Sequence, residues 1–340
     1  MTAIPASFRA FVAESVGGGE NVDRGLRDFV AADLPDADIE VRVEWSSVNY
    51  KDALATIAGG KVARISPLIP GIDLAGEVVG STGSPDLAIG AGILAHGYDL
   101  GVSRHGGFGE YTRLPPGYVV PLPDRLTARD AMAVGTAGFT AAMSVAALER
   151  HGLEPGHGPV IVTGASGGVG SVAVAILARR GHEVWAATGK LDEEGRLRRL
   201  GAVGIIHRDE CTAESSRPLE SARWAGAIDT VGAATLPYVL RTLRPGAAVA
   251  SSGNASGAAL TTTVLPFILR GAALLGMDSA NMPIADRRAL WQRIATDLRP
   301  GGLDDDRLGV TEVALDEVES ALDAILAGEA RGRWVVRVGG

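Results

Sequence analysis

The residues Gly164-Ala165-Ser166-Gly167-Gly168-Val169-Gly170 have the types and spacing to hold a dinucleotide. A backbone that lies against a diphosphate needs one glycine for a tight turn and a second where the phosphates approach. It needs a third where helix and strand pack together. Gly164, Gly167 and Gly170 supply these at spacings of three. A helix starting there turns its free N–H groups and the positive end of its dipole toward an anion. The apolar run Val160-Ile161-Val162 precedes the turn, and β–α alternation follows it. That setting distinguishes a dinucleotide turn from a bare glycine match.

The next strand decides which dinucleotide is held. A site for NAD usually ends that strand on Asp or Glu, whose carboxylate holds the adenosine ribose 2′-OH. Here the strand ends Ala186-Ala187-Thr188-Gly189-Lys190, with no acid before Asp192. A carboxylate would repel a 2′-phosphate, whereas Thr188 offers a hydrogen bond and Lys190 a charge. Arg208, just past the following strand, adds a second cation. The plain alternative is that both cations are solvated surface charges. The missing acid and the two cations occur together, so NADPH is the expected cofactor.

The elements that position these groups read in two styles. Residues 39–45 alternate apolar and polar, as a half-buried strand does, and 71–80 and 107–114 read as further strands bounded by glycines. Short strands separated by turn signals suggest an irregular antiparallel barrel. From about residue 128 the character changes. A small-residue helix at 128–148 is expected to break at Gly135 and Gly138. Strands then follow at 159–164, 183–188, 204–207, 225–230, 247–251 and 273–277, with helices at 171–180 and 191–200. This alternation implies right-handed crossovers and a doubly wound parallel sheet. Helices at 287–298 and 315–327 precede a last strand at 334–338.

Composition excludes more than it assigns. The chain of 340 residues is long enough for about two domains, and 46% apolar content allows a sizeable core. A net charge of −8 argues against nucleic acid as a partner. The small-residue run 164–178 ends at Arg179-Arg180, and no segment is expected to reach the length of a membrane span. Met1-Thr2-Ala3-Ile4-Pro5 lacks the basic and apolar regions of a signal peptide. Cys211 is the single cysteine, so no intrachain disulfide forms and a cytoplasmic setting fits.

Longer segments carry a family resemblance. They are Trp45-Ser46-Ser47-Val48-Asn49-Tyr50-Lys51-Asp52, Ile69-Pro70-Gly71-Ile72-Asp73, Val134-Gly135-Thr136-Ala137-Gly138-Phe139-Thr140-Ala141, the glycine turn, residues 224–232, Pro266-Phe267-Ile268-Leu269-Arg270, and Gly332-Arg333. Over nearly its whole length the chain resembles the medium-chain dehydrogenase/reductases. It is most similar to their zinc-free branch of NADPH-dependent acrylyl-CoA reductases and quinone oxidoreductase-like proteins. The resemblance implies an α/β protein with a GroES-like irregular β-barrel catalytic domain and a doubly wound parallel-sheet Rossmann domain. Residues 1–131 would form the first part of the catalytic domain and 132–266 the NADPH-binding domain. Residues 267–340 would return to complete the Rossmann edge and the catalytic domain. A homodimer built by pairing Rossmann sheets is implied as well.

The family's cofactor positions carry over to Tyr50, Ser166, Gly167, Gly168, Val169, Thr188, Gly189, Lys190, Arg208 and Ser279. With Gly164 and Gly170, the set also takes in Thr136, within a matching segment, and Asn254, in the loop that the family places near the nicotinamide. Zinc-dependent members bind their catalytic metal through Cys, His and an acid. This chain has Gly71-Ile72-Asp73 where those members carry Gly-His-Glu, so no metal ligand set is expected. Alcohol oxidation without a Lewis acid lacks a means of stabilising an alkoxide, whereas an enolate can be held by hydrogen bonds.

The resemblance therefore implies reduction of the carbon–carbon double bond of acryloyl-CoA or a similar short enoyl thioester, with hydride added at the β-carbon. Tyr50 is the first catalytic candidate, since a phenol can orient the nicotinamide and donate a hydrogen bond. Cofactor contact without acid–base work is the equal alternative. Asn49 follows it, and Arg333 is expected to close the cleft from the returning segment. Asp73 is expected to be structural. Two other readings stand beside this one: an NADPH:quinone oxidoreductase, and an NADPH-binding sensor or structural protein without turnover.

Overall fold

The computed structural model describes residues 4–82 and 87–339. Residues 1–3, read above for a leader sequence, lie outside them. In chain order the elements are β1 (Ser7–Val16), β2 (Asn21–Val30), β3 (Ile39–Val48), α1 (Tyr50–Ala55), β4 (Asp73–Ser81), β5 (Gly92–His96), β6 (Tyr111–Leu114), β7 (Val120–Pro121) and α2 (Ala128–Arg150). There follow β8 (Val160–Thr163), α3 (Gly168–Arg179), β9 (Val184–Thr188), α4 (Glu194–Arg199), β10 (Ala202–His207), α5 (Arg208–Thr212), β11 (Gly226–Asp229), α6 (Thr235–Thr242) and β12 (Ala248–Ser251). The last are α7 (Leu265–Arg270), β13 (Ala273–Gly276), α8 (Ile284–Ile294), β14 (Val310–Ala314), α9 (Val318–Leu326) and β15 (Arg333–Arg337).

The chain divides into two compact units. The first takes the described residues up to Thr136, then Ala280–Ala295, and the residues from Val310 on; the second takes Ala137–Ser279 and Thr296–Gly309. These divisions come at 136/137 and 279/280, where 131/132 and 266/267 were expected, and the first lies within α2. The chain leaves the first unit one residue after Gly135, whose φ of 53° and ψ of −163° interrupt the helix. Gly138, also expected to break α2, stays helical.

In the first unit the strands run β14-β15-β3-β4-β5-β7, with β6 on β3, and β1 pairs with β2 as a separate hairpin. Strand β3 follows the expected alternation, burying Ile39, Val41 and Val43. They pack with Phe11, Leu74, Val78, Phe108 and Val336. Of the expected strand 107–114 only Tyr111–Leu114 forms. The N–H groups of Gly106, Gly107 and Phe108 bond instead to carbonyls of Ile69, Gly71 and Pro70.

In the second unit the described strands form one parallel sheet, ordered β10-β9-β8-β11-β12-β13. This is the doubly wound order of a Rossmann domain, with its switch point between β8 and β11. Both β8 and β11 are buried along their whole length, as central parallel strands covered on two faces must be. Helix α2 overturns the expectation that no segment is long enough to span a membrane: it has 23 residues and an apolar stretch of mean hydropathy 1.6. That stretch is 89% buried within the fold, the mark of a core helix.

Candidate active site

The second unit builds the dinucleotide turn. Helix α3 begins at Gly168, three residues earlier than expected, so Gly168, Val169 and Gly170 are its first turn. The first bond into α3 runs from Ser171 N–H to Gly167 O, which leaves the earlier N–H groups without helical acceptors. Two of the glycines are demanded by the fold. Gly164 has φ +60°, and a Cβ there would meet Thr230 Oγ1 at 2.3 Å; a Cβ on Gly170 would meet Gly164 O at 2.3 Å. Gly167 is different. It is exposed, with φ −80°, and a Cβ on it would meet nothing nearer than 3.4 Å. The fold does not require a glycine there, whereas a diphosphate approaching from outside does.

The end of β9 is ordered by its own side chains. Thr188 is buried, its hydroxyl 2.9 Å from Ser166 Oγ, and it accepts the Lys190 N–H at 3.0 Å. Thr188 therefore sets the geometry of the loop, with its hydroxyl already engaged. From α4, Arg196 donates to Ser166 O at 3.0 Å and to Glu193 at 2.6 Å, a clamp on the glycine turn that sequence reading missed. Arg208 is 73% exposed and lies across Gly189. Asn254 is exposed, and Ser279 accepts a hydrogen bond from Thr140 at 2.8 Å.

The first unit holds a buried polar network around Asp73, the first residue of β4. Asp73 Oδ2 accepts from Ser47 Oγ at 2.5 Å, Asn49 Nδ2 at 2.8 Å and Thr136 N at 3.0 Å, while Oδ1 accepts from Thr136 Oγ1. Arg333 stands 3.9 Å away. It donates to Ala133 O, Ser47 Oγ and Asn49 Oδ1 at 2.9, 2.9 and 3.2 Å. Only 2% of Arg333 is exposed, so it does not close a cleft. Strand β15 sits between β14 and β3 and carries the guanidinium inward, where it balances Asp73. Thr136, expected at the cofactor, also belongs to this network, through both its N–H and its hydroxyl.

Gly135 makes the network possible. A Cβ there would lie 2.5 Å from Arg333 Nη2, 2.6 Å from Asp73 Oδ2 and 2.8 Å from Ser47 Oγ. Burial opposes the charge of Asp73, but Arg333 and the hydroxyls of Ser47 and Thr136 overcome it and hold the carboxyl below its usual range. Asp52 goes the other way. Burial, helped by the charge of Asp73, pushes it up to about 7, against the N–H groups of Asn49 and Ile72 that it accepts at 2.8 Å each.

A second layer backs Asp73. His96 ends β5 in register with Asp73, and Trp291 Nε1 donates to His96 Nε2 at 2.9 Å. Indole nitrogen only donates, so Nε2 accepts from Trp291, while Nδ1 lies 2.8 Å from Arg287 Nη1 and 3.3 Å from Thr136 Oγ1. Arg287 donates to His96 O at 2.7 Å and lies 4.4 Å over the ring of Tyr98. Burial first, then Arg287, lowers His96 to about 3, which keeps the imidazole neutral. Tyr50, the first residue of α1, is 59% exposed beside this network.

Of the predicted catalytic residues, Asn49 and Arg333 are thus brought together within the network, with Tyr50 next to Asn49 in the chain. Ser47, Asp52, His96, Arg287 and Trp291 went unrecognised as site residues, and Gly135 was expected only to break its helix. Only Asp52 had a local signal, as an acid three residues after an Asn at a helix start. Among the described residues, no group of three His, Cys, Asp or Glu is placed to hold a metal ion.

Known proteins resemble this chain in sequence and fold. A family profile described as alcohol dehydrogenase GroES-like domain matches residues 35–124. Acrylyl-CoA reductase AcuI of Ruegeria pomeroyi is 44% identical over 97% of this chain and 99% of its own length. The yhdH oxidoreductase of Salmonella enterica, solved in complex with NADP, is 44% identical with a TM-score of 0.93, covering 97% of this chain and all of that one. The quinone oxidoreductase-like protein YhfP of Bacillus subtilis is 43% identical over 97% of this chain and 99% of its own. Its structure with NAD bound gives a TM-score of 0.94, with 98% and 100% of the two chains covered. Similarity of this extent shows that the chain belongs to the medium-chain dehydrogenase/reductase superfamily, in the branch of the acrylyl-CoA reductases and their quinone oxidoreductase-like relatives.

Proposed function

We propose that this chain is an NADPH-dependent reductase of short enoyl thioesters, converting acryloyl-CoA to propionyl-CoA without zinc. The observation that carries the reading is the 44% identity to an acrylyl-CoA reductase along 97% of the chain. When bound, NADPH supplies the hydride that adds to the β-carbon of the thioester. The residues present fit such a cofactor. The open N–H groups at the start of α3 and the glycine at 167 hold its diphosphate, and Lys190 and Arg208 hold its 2′-phosphate. Thr188 and Ser166 set the loop between them, with Gly189, Asn254 and Ser279 also at the cofactor. Tyr50 meets the nicotinamide side of the site, and Asn49, held by Asp73 and Arg333, fixes where Tyr50 starts. Independence from zinc is supported by Ile72 standing where an imidazole would be needed, and by an Asp73 whose oxygens are taken by four donors and Arg333.

The quaternary part of the proposal is a homodimer. Strand β13 is an open edge of the parallel sheet, and Val264, Ile268 and Leu269 are 64–67% exposed beside it. A second copy pairing at that edge satisfies its backbone groups and covers the apolar side chains.

A quinone oxidoreductase is the second reading, favoured by the equal likeness to YhfP. NADPH oxidation measured in parallel with acryloyl-CoA, crotonyl-CoA and a quinone separates the two. Turnover with acryloyl-CoA is expected, and it should survive chelators. Turnover with the quinone alone would replace the reading. Tight NADPH binding without any turnover would point to a sensor or structural protein.

A further inference from the structure

Tyr50 is exposed, and its hydroxyl makes no hydrogen bond among the described residues. Its direction is therefore set by the backbone that carries it. That backbone is the first residue of α1, a helix of six residues, far too short to be stable alone. Something must pin it.

Asp52 does so from within the fold. It is wholly buried, and each of its oxygens accepts from a different element. Oδ2 accepts the Asn49 N–H at 2.8 Å, closing the helix start back on the residue before Tyr50. Oδ1 accepts the Ile72 N–H at 2.8 Å, which ties the same turn to the residue ahead of β4. The Asn49 amide completes the brace. Its Nδ2 lies 3.3 Å from Asp52 Oδ2 and 2.8 Å from Asp73 Oδ2, while its Oδ1 accepts from Arg333 at 3.2 Å. Both oxygens of Asp52 face N–H donors, so an amide of the same shape, with one acceptor oxygen, does not serve both.

We infer that Asp52 is a positioning residue of the cofactor site: it locks the start of α1 against the start of β4 and thereby aims Tyr50. The inference rests on the proposal that Tyr50 meets the nicotinamide. Asp52 itself touches no ligand, and it acts only through Asn49 and Tyr50. Replacing it with Asn turns an NH₂ toward Asn49's donors or toward Ile72 N–H, so the brace opens while the volume is kept.

The test is a cycle of wild type, Asp52→Asn, Tyr50→Ala and the double variant. NADPH affinity is read by fluorescence titration, and each protein is melted to establish that it is folded. Asp52→Asn is expected to weaken NADPH about tenfold when Tyr50 is present and less than about twofold when it is absent, since coupled residues do not add. Equal losses in both backgrounds, or no loss in either, would overturn the inference, because a merely structural role is indifferent to Tyr50. If Asp52→Asn does not fold at the assay temperature, Asn49→Ser takes its place in the cycle with the same expectation. Failure of the wild type to bind NADPH would bring down the cofactor reading and this inference with it. Binding by the wild type with additive losses would remove this inference alone.

Discussion

Arg208 lies so close across Gly189 that a Cβ on the glycine would stand 2.6 Å from Arg208 Cδ and 2.7 Å from its Nε. The fold does not need a glycine at this position for its backbone, since φ is outside the left-handed region. The glycine lets the guanidinium settle over the loop that ends β9. Gly189→Ala should leave the melting temperature nearly unchanged, because the exposed Arg208 can move aside. It should also weaken NADPH about fivefold while sparing NADH, as part of a charge-assisted contact worth roughly 1.5–3 kcal/mol is lost. Equal effects on both cofactors would show that Arg208 does not read the 2′-phosphate.

Lys190→Ala tests the other cation. NADPH binding should weaken more than about tenfold with NADH binding unchanged, by the same charge-assisted magnitude. Parallel titrations with the two cofactors decide it. A shared loss would make Lys190 structural.

Gly135→Ala should be severe. The added methyl enters a space already bounded by Arg333, Asp73 and Ser47, at a residue with φ +53°. A strained backbone and a broken buried ion network together should cost more than about 3 kcal/mol. Denaturant unfolding measures the loss, and a cost below about 1 kcal/mol would show that the network relaxes around a side chain.

The network also predicts an unusual dependence of stability on pH. Asp52 has its folded pKa raised to about 7 from 3.8. The native state keeps a proton that the unfolded chain has lost, so this group's contribution falls as pH rises from about 4 to about 7. His96 is lowered to about 3 from 6.5, so the unfolded chain takes up a proton that the native state refuses. Its contribution falls as pH drops below about 6.5. Each slope is about 1.4 kcal/mol per pH unit, and the two oppose one another over the shared window. Asp52→Asn removes one of them. Stability of the variant should rise more steeply than wild type between pH 4.5 and 6.5, by roughly one proton's worth. Unfolding curves at several pH values give both slopes, and parallel slopes would contradict the assignment.

Ile268→Lys probes the proposed homodimer. A lysine on α7 beside the β13 edge should raise the dimer dissociation constant at least about a hundredfold, as expected for a charge placed in an apolar interface. Analytical ultracentrifugation reads this directly. An unchanged dimer would move the interface elsewhere.

The Rossmann unit was legible because its signals are local. Val160-Ile161-Val162 is apolar at every position because both faces of β8 are covered, and the glycines follow directly. The hairpin β1–β2 was missed for the opposite reason. Strand β2 buries only Phe29, so it shows no alternation to find, and three glycines at 17–19 mark its turn without naming its strands. The Asp73 network was illegible as a whole. Its members come from positions as far apart as Ser47, His96, Arg287 and Arg333, and nothing near each residue records the others. Arg333 shows the limit best: a motif match identified the residue, but only the placement of β15 beside β3 reveals that it faces inward.

That placement bears on how the protein is made. Ser47 and Asp73 are synthesised early, and their guanidinium partner leaves the ribosome more than two hundred residues later, when β15 arrives to fill the gap between β3 and β14. Until then Asp73 must stay hydrated or protonated, since a buried carboxylate without its counter-charge is strongly disfavoured. The sheet of the second unit is complete in sequence by Gly276 and needs no such wait. The nascent chain should therefore gain a protease-resistant nucleotide-binding body first, and the polar centre of the other unit should be the last part to set.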